Sequence, residues 1–327
     1  MKRLFIIILS VFLLLGIVNW GTKILAAEKY PAKPITFILP LGPGSDLEVV
    51  LRPWLQKASD TLGKPIVIVH KPGAGGTIGY REIYAAKPDG YTIGGMLWSL
   101  LSVKLQGLLP YDYHDYTIFN TVANQYPLIV ASKKTKRPFK TIEELLAFAK
   151  SNPGEVTIAT TSVGQTWWVA TMYFQERIGL KFIIIPQEEG TAMVATQVAG
   201  GHADIGILGL PGAKTQIDAG NLHILSSMSP NRFHEPYNYA PTLKEVGHDI
   251  TFKGWSAIIG PPKIPKDIVD KLANTFKATL DSEVQRHFLV YAQSAVFLRS
   301  DDAIKRFDEE REIIRNLMDK AGLLKGK

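Results

Sequence analysis

The sequence predicts an α/β protein of two lobes, each a mainly parallel sheet flanked by helices, with a ligand cleft between the lobes. Short apolar runs rich in β-formers alternate with stretches of helical periodicity, which is typical of parallel sheets covered on both faces. The alternation breaks near residue 126 and then restarts, so a second series mirrors the first. With 327 residues and 46% hydrophobic content, the chain is long enough for one large or two medium domains.

The first unit of the chain is a strand, a loop and a helix. Residues 35–39 are apolar and closed by a proline, which predicts a buried strand. From residue 47 to residue 62 the apolar positions recur at helical spacing, with Ser45 or Asp46 as the N-cap. The glycine-rich loop at 41–46 leaves few side chains in front of the first N–H groups of this helix. Such a terminus attracts anions, although an ordinary βα turn has the same pattern.

The remaining elements follow the same alternation to the end of the chain. Further strands are predicted at residues 66–69, 91–96, 117–123, 128–132, 156–159, 182–185, 205–208, 222–228 and 255–260. Helices are predicted at residues 77–86, from 141 onward, and at 167–178, 191–199, 266–280, 283–291 and 301–321. The glycines between residues 73 and 79 miss the dinucleotide-binding spacing, so they predict tight turns and close helix packing.

Ligands of open α/β sheets bind beyond the carboxyl ends of the strands, so the loops at these ends are expected to converge. The most informative pair is 41–46 and 160–166, one from each lobe, because each ends at a helix N-terminus. Two positive helix ends facing one gap predict a carboxylate held by backbone N–H groups and small hydroxyls. The predicted hydroxyls are those of Ser45, Thr161, Ser162 and Thr166.

The N-terminal segment 1–27 has the pattern of a secretory signal peptide: a basic start, an apolar run and two small residues. Cleavage is expected after Ala26 or Ala27, and the alternative is a retained N-terminal anchor. Loss of the segment lowers the formal net charge from +7 to +4. The chain has no cysteine, which excludes disulfides and thiol chemistry. Together these features predict a periplasmic protein.

No catalytic residue, metal site or cofactor is predicted. The seven histidines show no metal-ligand spacing, and no phosphate-binding loop is present in the sequence. Ser162 lacks the preceding glycine of a nucleophile elbow. The basic cluster at 133–137 is interpreted as a solvated turn, so no nucleic-acid partner is expected.

Three stretches of the sequence resemble a known family. They read Pro40-Leu-Gly-Pro-Gly-Ser-Asp-Leu-Glu48, Lys71-Pro-Gly-Ala-Gly-Gly-Thr-Ile-Gly79 and Lys87-Pro-Asp-Gly-Tyr-Thr92. They resemble the extracytoplasmic substrate-binding proteins of tripartite tricarboxylate transporters, the Bug family, over nearly all of the chain after the signal segment. The sequence differs from the usual family pattern at three positions. These are Ser45, where a glycine is usual, Glu48, where Asp is usual, and Trp168, where His or another polar residue is common.

The resemblance implies a type II periplasmic binding protein that closes on a small organic acid and hands it to the permease subunits of the transporter. The two crossings along the chain predict a first lobe of residues 28–125 and 236–327 and a second lobe of residues 126–235, and the protein is expected to be a monomer. The acid is expected to be a di- or tricarboxylate or an aromatic carboxylate. The implied ligand-binding residues are Leu41, Gly42, Pro43, Gly44, Ser45, Asp46, Trp98, Ser99, Thr161, Ser162, Gly164, Gln165, Thr166, Trp168 and Glu189.

Two questions stay open at the level of the sequence. Trp167 and Trp168 suit either stacking on an aromatic or longer hydrophobic acid or core packing of the helix that they begin. At most one of them is expected to face the cleft, because adjacent helical residues point about 100° apart. The same cleft also suits a periplasmic sensor that presents the acid to a receptor kinase, or a periplasmic hydrolase or isomerase.

Overall fold

Two sheets, each flanked by helices, form the framework of the protein. The computed structural model describes residues 30–188, 190–320 and 322–324, and the predicted signal peptide lies outside these residues. In the described part of the chain, no helix is both long enough and apolar enough to cross a membrane.

The strands are β1 Ile35–Leu39, β2 Ile66–His70, β3 Thr92–Leu97, β4 Thr117–Gln125, β5 Pro127–Ala131, β6 Thr157–Thr161, β7 Ile183–Gln187, β8 Ile205–Gly209, β9 His223–Ser227, β10 Gly254–Gly260 and β11 Gln293–Ala295. The helices are α1 Asp46–Leu62, α2 Thr77–Ala85, α3 Ser99–Leu105, α4 Ile142–Ser151, α5 Thr166–Ile178, α6 Thr191–Ala199, α7 Leu210–Asp218, α8 Lys266–Thr279, α9 Ser282–Val290 and α10 Ser300–Lys320. Short 3₁₀ turns lie at Ala74–Gly76 and Tyr113–Asp115.

The six-stranded sheet has the order β11-β4-β10-β3-β1-β2, and the five-stranded sheet has the order β7-β6-β8-β5-β9. Strands β2, β1 and β3 are mutually parallel, as are β7, β6 and β8. The other pairs are antiparallel. The two-lobed α/β architecture is therefore confirmed, but the sheets are mixed, where the sequence predicted mainly parallel ones.

The reason for the mixed pairing is the way in which the chain passes between the sheets. Strand β4 ends at Gln125 and β5 begins at Pro127, so a continuous extended run leaves one sheet and enters the other. Strand β5 therefore enters its sheet without a crossover helix inside that sheet, and it runs antiparallel to both of its neighbours, β8 and β9. The chain returns between β9 and β10. Lobe boundaries at residues 126 and 235 stay a prediction.

Helix α1 is fixed against the C-terminal helices by Trp54. Its indole Nε1 donates hydrogen bonds to the carbonyl oxygen of Phe276 at 3.0 Å and to Thr279 Oγ1 at 3.1 Å. The indole also meets the rings of Phe276 and Phe288 edge-on. A fully buried Trp with its N–H satisfied is a strong packing anchor. The N-terminus of α1 is therefore held at a defined place beyond the end of β1.

The glycine-rich stretch at 73–79, which leads into the first turn of α2, allows close packing, as the sequence predicted. A Cβ on Gly79 would lie 2.8 Å from Cβ of Pro40 and 3.1 Å from the carbonyl oxygen of Lys71. Only glycine lets α2 approach the end of β1 this closely.

Three elements were not predicted from the sequence. Helices α3 and α7 and strand β11 are all short, and α7 opens with Leu-Pro-Gly, a pattern that resembles a turn. Proline is nevertheless accepted in the first turn of a helix, where its missing N–H is not needed. Helix α7 matters here because its first turn contributes to the site.

Candidate functional site

A cavity lies between the carboxyl ends of strands from the two sheets. It contains about 380 Å³ of space not filled by atoms, part of it open to solvent. Only about 30 Å³ is wide enough for the centre of a water molecule, so the walls are close together. The lining residues are Leu41, Ser45, Asp46, Leu97, Ser99, Gln125, Thr161, Gln165, Thr166, Trp167, Gly190 and Thr191.

Two helix N-termini, one from each lobe, contribute hydroxyl groups to this cavity. Ser45 is the N-cap of α1, and Thr166 is the first residue of α5. Ser45 Oγ and Thr166 Oγ1 are both buried, and neither has a hydrogen-bond partner among the described residues. Buried hydroxyls are normally paired, because an unpaired one costs about 1–3 kcal/mol. These two hydroxyls are therefore available to a molecule in the cavity.

Asp46 is the single ionisable side chain among the residues that line the cavity. Its Oδ1 accepts hydrogen bonds from Thr191 Oγ1 at 2.9 Å and from the Gly212 backbone N–H at 2.8 Å. Its Oδ2 accepts a bond of 2.7 Å from Trp167 Nε1. Burial raises the pKa of Asp46, and these hydrogen bonds oppose the rise. The carboxylate is thus surrounded by donors of the protein itself.

Glu48 stabilises the first loop of the site from behind. Its Oε2 accepts a 2.7 Å hydrogen bond from the backbone N–H of Gly44 and lies 3.0 Å from His70 Nε2, while Oε1 contacts Arg52. Burial acts to raise the pKa of Glu48, but the contacts with His70, Gly44 and Arg52 outweigh it and lower the pKa below its ordinary value. The carboxylate fixes Gly44, which has a φ of +73°, between β1 and α1.

The cavity brings together about half of the residues predicted from the sequence. The predicted residues that line it are Leu41, Ser45, Asp46, Ser99, Thr161, Gln165 and Thr166. Gly42, Pro43 and Gly44 belong to the first loop but are not part of the lining. Glu189 lies outside the described residues.

Four other predicted residues lie elsewhere, each for an identifiable reason. The ring of Trp98 packs edge-on against Phe252, with 5.4 Å between centroids, and lines a different cavity. The hydroxyl of Ser162 donates to Glu188 Oε2 at 3.0 Å. The carbonyl of Gly164 accepts a hydrogen bond from Ser102. The fourth residue, Trp168, is replaced in the cavity by its neighbour.

Trp167 lines the cavity and Trp168 does not. Consecutive residues of α5 point about 100° apart, so only one of the two rings faces the gap. The sequence named Trp168 among the ligand-binding residues, whereas the cavity is lined by Trp167, and the ring that contacts a solute stays a prediction.

Four lining residues were not named as ligand-binding from the sequence: Leu97, Gln125, Gly190 and Thr191. Gly190 and Thr191 follow β7, in agreement with the rule that sites form at the carboxyl ends of strands. Gln125 is the last residue of β4, and its amide lies 3.3 Å from Ser256 Oγ. Neither Gln125 nor Leu97 had a distinguishing signal in the sequence.

Within residues 30–188, 190–320 and 322–324, no group of three or more His, Cys, Asp or Glu side chains is placed to hold a metal ion. The lining instead offers serine and threonine hydroxyls, glutamine amides and two helix N-termini, and its one carboxylate, that of Asp46, is paired with donors of the protein itself. Such a donor set suits an oxyanion.

Comparison with known proteins identifies the family of this chain. A family model described as "Tripartite tricarboxylate transporter family receptor" matches residues 50–323. The chain belongs to this receptor family. Protein BugT of Bordetella pertussis is 29% identical over 265 residues, covering 79% of each chain. A protein encoded in the TAR-I ttuE-ttuC' intergenic region of Agrobacterium vitis is 28% identical, covering 83% of this chain and 78% of that protein.

Solved structures agree with the family assignment. A structure described as a periplasmic transporter is 25% identical, with a TM-score of 0.83 over 90% of this chain and 99% of that chain. The periplasmic binding protein BugD has a TM-score of 0.82 at 24% identity, covering 91% of this chain and all of BugD. The likeness to BugD shows the fold, and the resemblance to the Bug family inferred from the sequence is confirmed.

Proposed function

We propose that this receptor family member is an extracytoplasmic solute-binding protein. It captures a small organic carboxylate in the cavity between its lobes and delivers it to the permease subunits of a tripartite tricarboxylate transporter. The observation that carries the proposal is a pair of buried hydroxyls, those of Ser45 and Thr166, which lie on either side of the cavity and have no hydrogen-bond partner in the described part of the chain. The N-terminal sequence pattern supports a periplasmic location.

A carboxylate is chemically complementary to the hydroxyl groups and helix N-termini of the cavity. Each helix N-terminus carries roughly half a positive charge and several N–H groups without intrahelical partners. A carboxylate has two oxygens with about four lone pairs, so it can accept bonds from both sides of the gap at once. The hydroxyls of Ser45 and Thr166 then gain their missing partner. The solute-binding residues of this proposal are Leu41, Ser45, Ser99, Gln125, Thr161, Gln165, Thr166, Trp167 and Gly190.

The cavity is so narrow that the two lobes must move apart before a solute can enter it. Its water-accessible space of about 30 Å³ is close to that of two water molecules, by the usual minimum of about 10–15 Å³ for one. An organic acid therefore enters when the lobes separate and is enclosed when they close. The two connections between the sheets, at Tyr126 and between β9 and β10, are where the chain would bend.

Structural relatives support a carboxylate as the solute class. MatC of Rhodopseudomonas palustris was solved with bound malate and has a TM-score of 0.79 at 21% identity. Another protein of R. palustris was solved with adipate and has a TM-score of 0.84 at 21% identity. A di-, tri- or aromatic carboxylate remains the proposed class, and Trp167 in the wall is compatible with an aromatic one.

The proposal is tested with a panel of organic acids that includes malate, adipate, citrate and benzoate. An acid present at 100 times its dissociation constant should stabilise the folded protein by about 2.7 kcal/mol, seen as a higher melting temperature. Ser45→Trp should abolish the response by filling the cavity, whereas Ser282→Trp, at the exposed start of α9, should not.

Two results would overturn the proposal. One is a panel without any response, and the other is a response that survives Ser45→Trp. Recovery of a bound acid in chemically changed form would point instead to a hydrolase or isomerase.

A further inference from the structure

The carboxylate of Asp46 connects the two lobes through donors that all belong to the lobe of the five-stranded sheet. Asp46 is the first residue of α1, which follows the first strand of the six-stranded sheet. Its hydrogen-bond donors are Trp167, Thr191 and Gly212, which are 121 to 166 residues away in the sequence. This buried carboxylate therefore bridges the gap that must open for a solute to enter.

The three donors lie in the first turns of three different helices. Trp167 is the second residue of α5, Thr191 is the first residue of α6, and Gly212 is the third residue of α7. The N–H of Gly212 has no partner within its own helix, because the first four N–H groups of a helix lack one. A negative charge at these ends is favourable. The Asp46 carboxylate, on one lobe, thus binds at the N-termini of helices of the other lobe in the way that an anionic ligand would.

Gly209 provides the space for this contact. A Cβ at Gly209 would lie 2.0 Å from Asp46 Oδ2 and 2.8 Å from its Cγ. The φ of Gly209 is −79°, which any residue can adopt, so its backbone conformation does not require glycine. The requirement is steric and comes mainly from Asp46, since the next nearest atom, Cζ2 of Trp167 at 3.1 Å, needs to shift by only a few tenths of an ångström.

The acceptor sites of Asp46 are largely used by the protein. Oδ1 accepts two hydrogen bonds and Oδ2 accepts one from Trp167, with the Gly209 backbone as a further partner. An ionised carboxylate has about four acceptor sites in all. Little capacity is left for a donor on a solute.

We infer that Asp46 is a positioning residue that holds the two lobes together around the solute and does not itself recognise the solute. The inference rests on the proposed function, since it assumes that capture requires closure. When the lobes separate, the helix ends of the second lobe lose their carboxylate partner. Closure restores these bonds, so the solute and Asp46 favour the same closed form.

The test measures the distance between the lobes and the affinity for an acid in the same variants. The chain has no cysteine, so Lys87→Cys and Lys150→Cys place one spin label at an exposed site on each lobe. Asp46→Ala and Gly209→Ala are each expected to shift the population toward longer interlobe distances. Each is also expected to weaken binding of the best acid by about tenfold or more.

The double variant Asp46→Ala/Gly209→Ala should be no worse than Asp46→Ala alone, because the added methyl group meets only the Asp46 carboxylate at a prohibitive distance. The matched control is Lys320→Ala. Lys320 forms an ion pair with Glu176 that also joins the two lobes, but it is 61% exposed. Removal of this pair should change neither readout.

The inference is overturned if Asp46→Ala changes which acids bind while the interlobe distances stay as in the parent protein, because Asp46 would then contact the solute. It is also overturned if Gly209→Ala has the same effect with and without Asp46. Should Asp46→Ala fail to fold, Thr191→Val removes one donor to Asp46 Oδ1 at a residue outside the proposed solute-binding set, and it is expected to shift the interlobe distances in the same direction. If the parent protein binds no acid, the proposed function fails, while the distances still decide the role of Asp46.

Discussion

The indole Nε1 of Trp167 donates a 2.7 Å hydrogen bond to Oδ2 of Asp46, across 121 residues of sequence. Both residues line the cavity, and both lie in the first turn of a helix. The bond connects the two helix N-termini that face the proposed solute site. This hydrogen bond stabilises the closed arrangement of the lobes, and contacts with a solute in the cavity would stabilise it further.

Replacement of Trp167 by Phe keeps most of the ring and removes the donor. A hydrogen bond to a buried charged group contributes about 1.5–3 kcal/mol, so the free energy of unfolding should fall by that amount. Urea denaturation of the acid-free protein measures it. Trp168→Phe, on the same helix but outside the cavity lining, is the control and should cost less. Equal losses in the two variants would contradict the assignment.

The hydroxyls of Ser45 and Thr166 should matter for binding and not for stability. Each is buried without a partner among the described residues, so Ser45→Ala and Thr166→Val remove no hydrogen bond from the acid-free protein. The unfolding free energy should change by no more than about 0.5 kcal/mol, or rise, because an unpaired buried hydroxyl is itself costly. Binding of the best acid, measured by calorimetry, should weaken by about 0.5–1.5 kcal/mol for each lost hydrogen bond.

Thr171→Val is the matched control for Thr166→Val on the same helix. The hydroxyl of Thr171 is also buried, but it bonds to Thr160 Oγ1 at 3.0 Å and to the carbonyl oxygen of Trp167 at 2.8 Å. Its loss should destabilise the protein by about 1 kcal/mol and leave acid binding unchanged. The proposed site would be wrong if Thr166→Val and Thr171→Val behaved alike.

The sequence predicted the site most accurately where local rules apply. Residues 41–46 and 160–166 each precede a helix, and a helix N-terminus exposes N–H groups whatever the rest of the fold does. The placement of these loops at one gap followed from the alternation of strands and helices. Ser45, Thr161 and Thr166 were found in this way.

The sequence could not show which polar groups of the site already have hydrogen-bond partners within the protein. Asp46 directly follows Ser45, yet its carboxylate accepts hydrogen bonds from donors of the other lobe, whereas the Ser45 hydroxyl has no partner among the described residues. This difference depends on contacts across more than 100 residues, as does the entry of Gln125 into the lining. The mixed sheets were missed for a related reason, since periodicity identifies a strand without its direction.

Gly79→Ala should destabilise the protein, although helix propensity predicts the opposite sign. Gly79 is the third residue of α2, and within a helix alanine is favoured over glycine by up to about 1 kcal/mol. Here the added methyl group would lie 2.8 Å from Cβ of Pro40 and 2.9 Å from its Cα, and overpacking of this kind costs about 1–3 kcal/mol. A thermal melt with a rise in melting temperature would show that α2 is free to move away from β1.

Glu48→Gln should reduce stability at neutral pH and lose this effect in acid. The pKa of Glu48 is lowered in the folded protein, so the ionised form is favoured by folding. Its contribution is fully present above the ordinary pKa of a glutamate, about 4.3, and is lost as the pH falls through the lowered value. Near pH 7 the variant should be less stable by about 1–3 kcal/mol, because contacts with Gly44 N–H, His70 and Arg52 are weakened.

The readout is the difference in unfolding free energy between the parent and Glu48→Gln, measured by urea denaturation from pH 7 downward. The pKa of Asp46 is shifted in the opposite direction, but Asp46 is present in both proteins, so its contribution cancels in this difference. Glu309→Gln, an exposed substitution on α10, should stay within about 0.5 kcal/mol of the parent throughout. A difference that stays constant with pH would mean that the charge of Glu48 does not stabilise the first loop. The predicted decrease toward zero in acid would instead show that the ionised carboxylate fixes the loop at which the proposed solute binds.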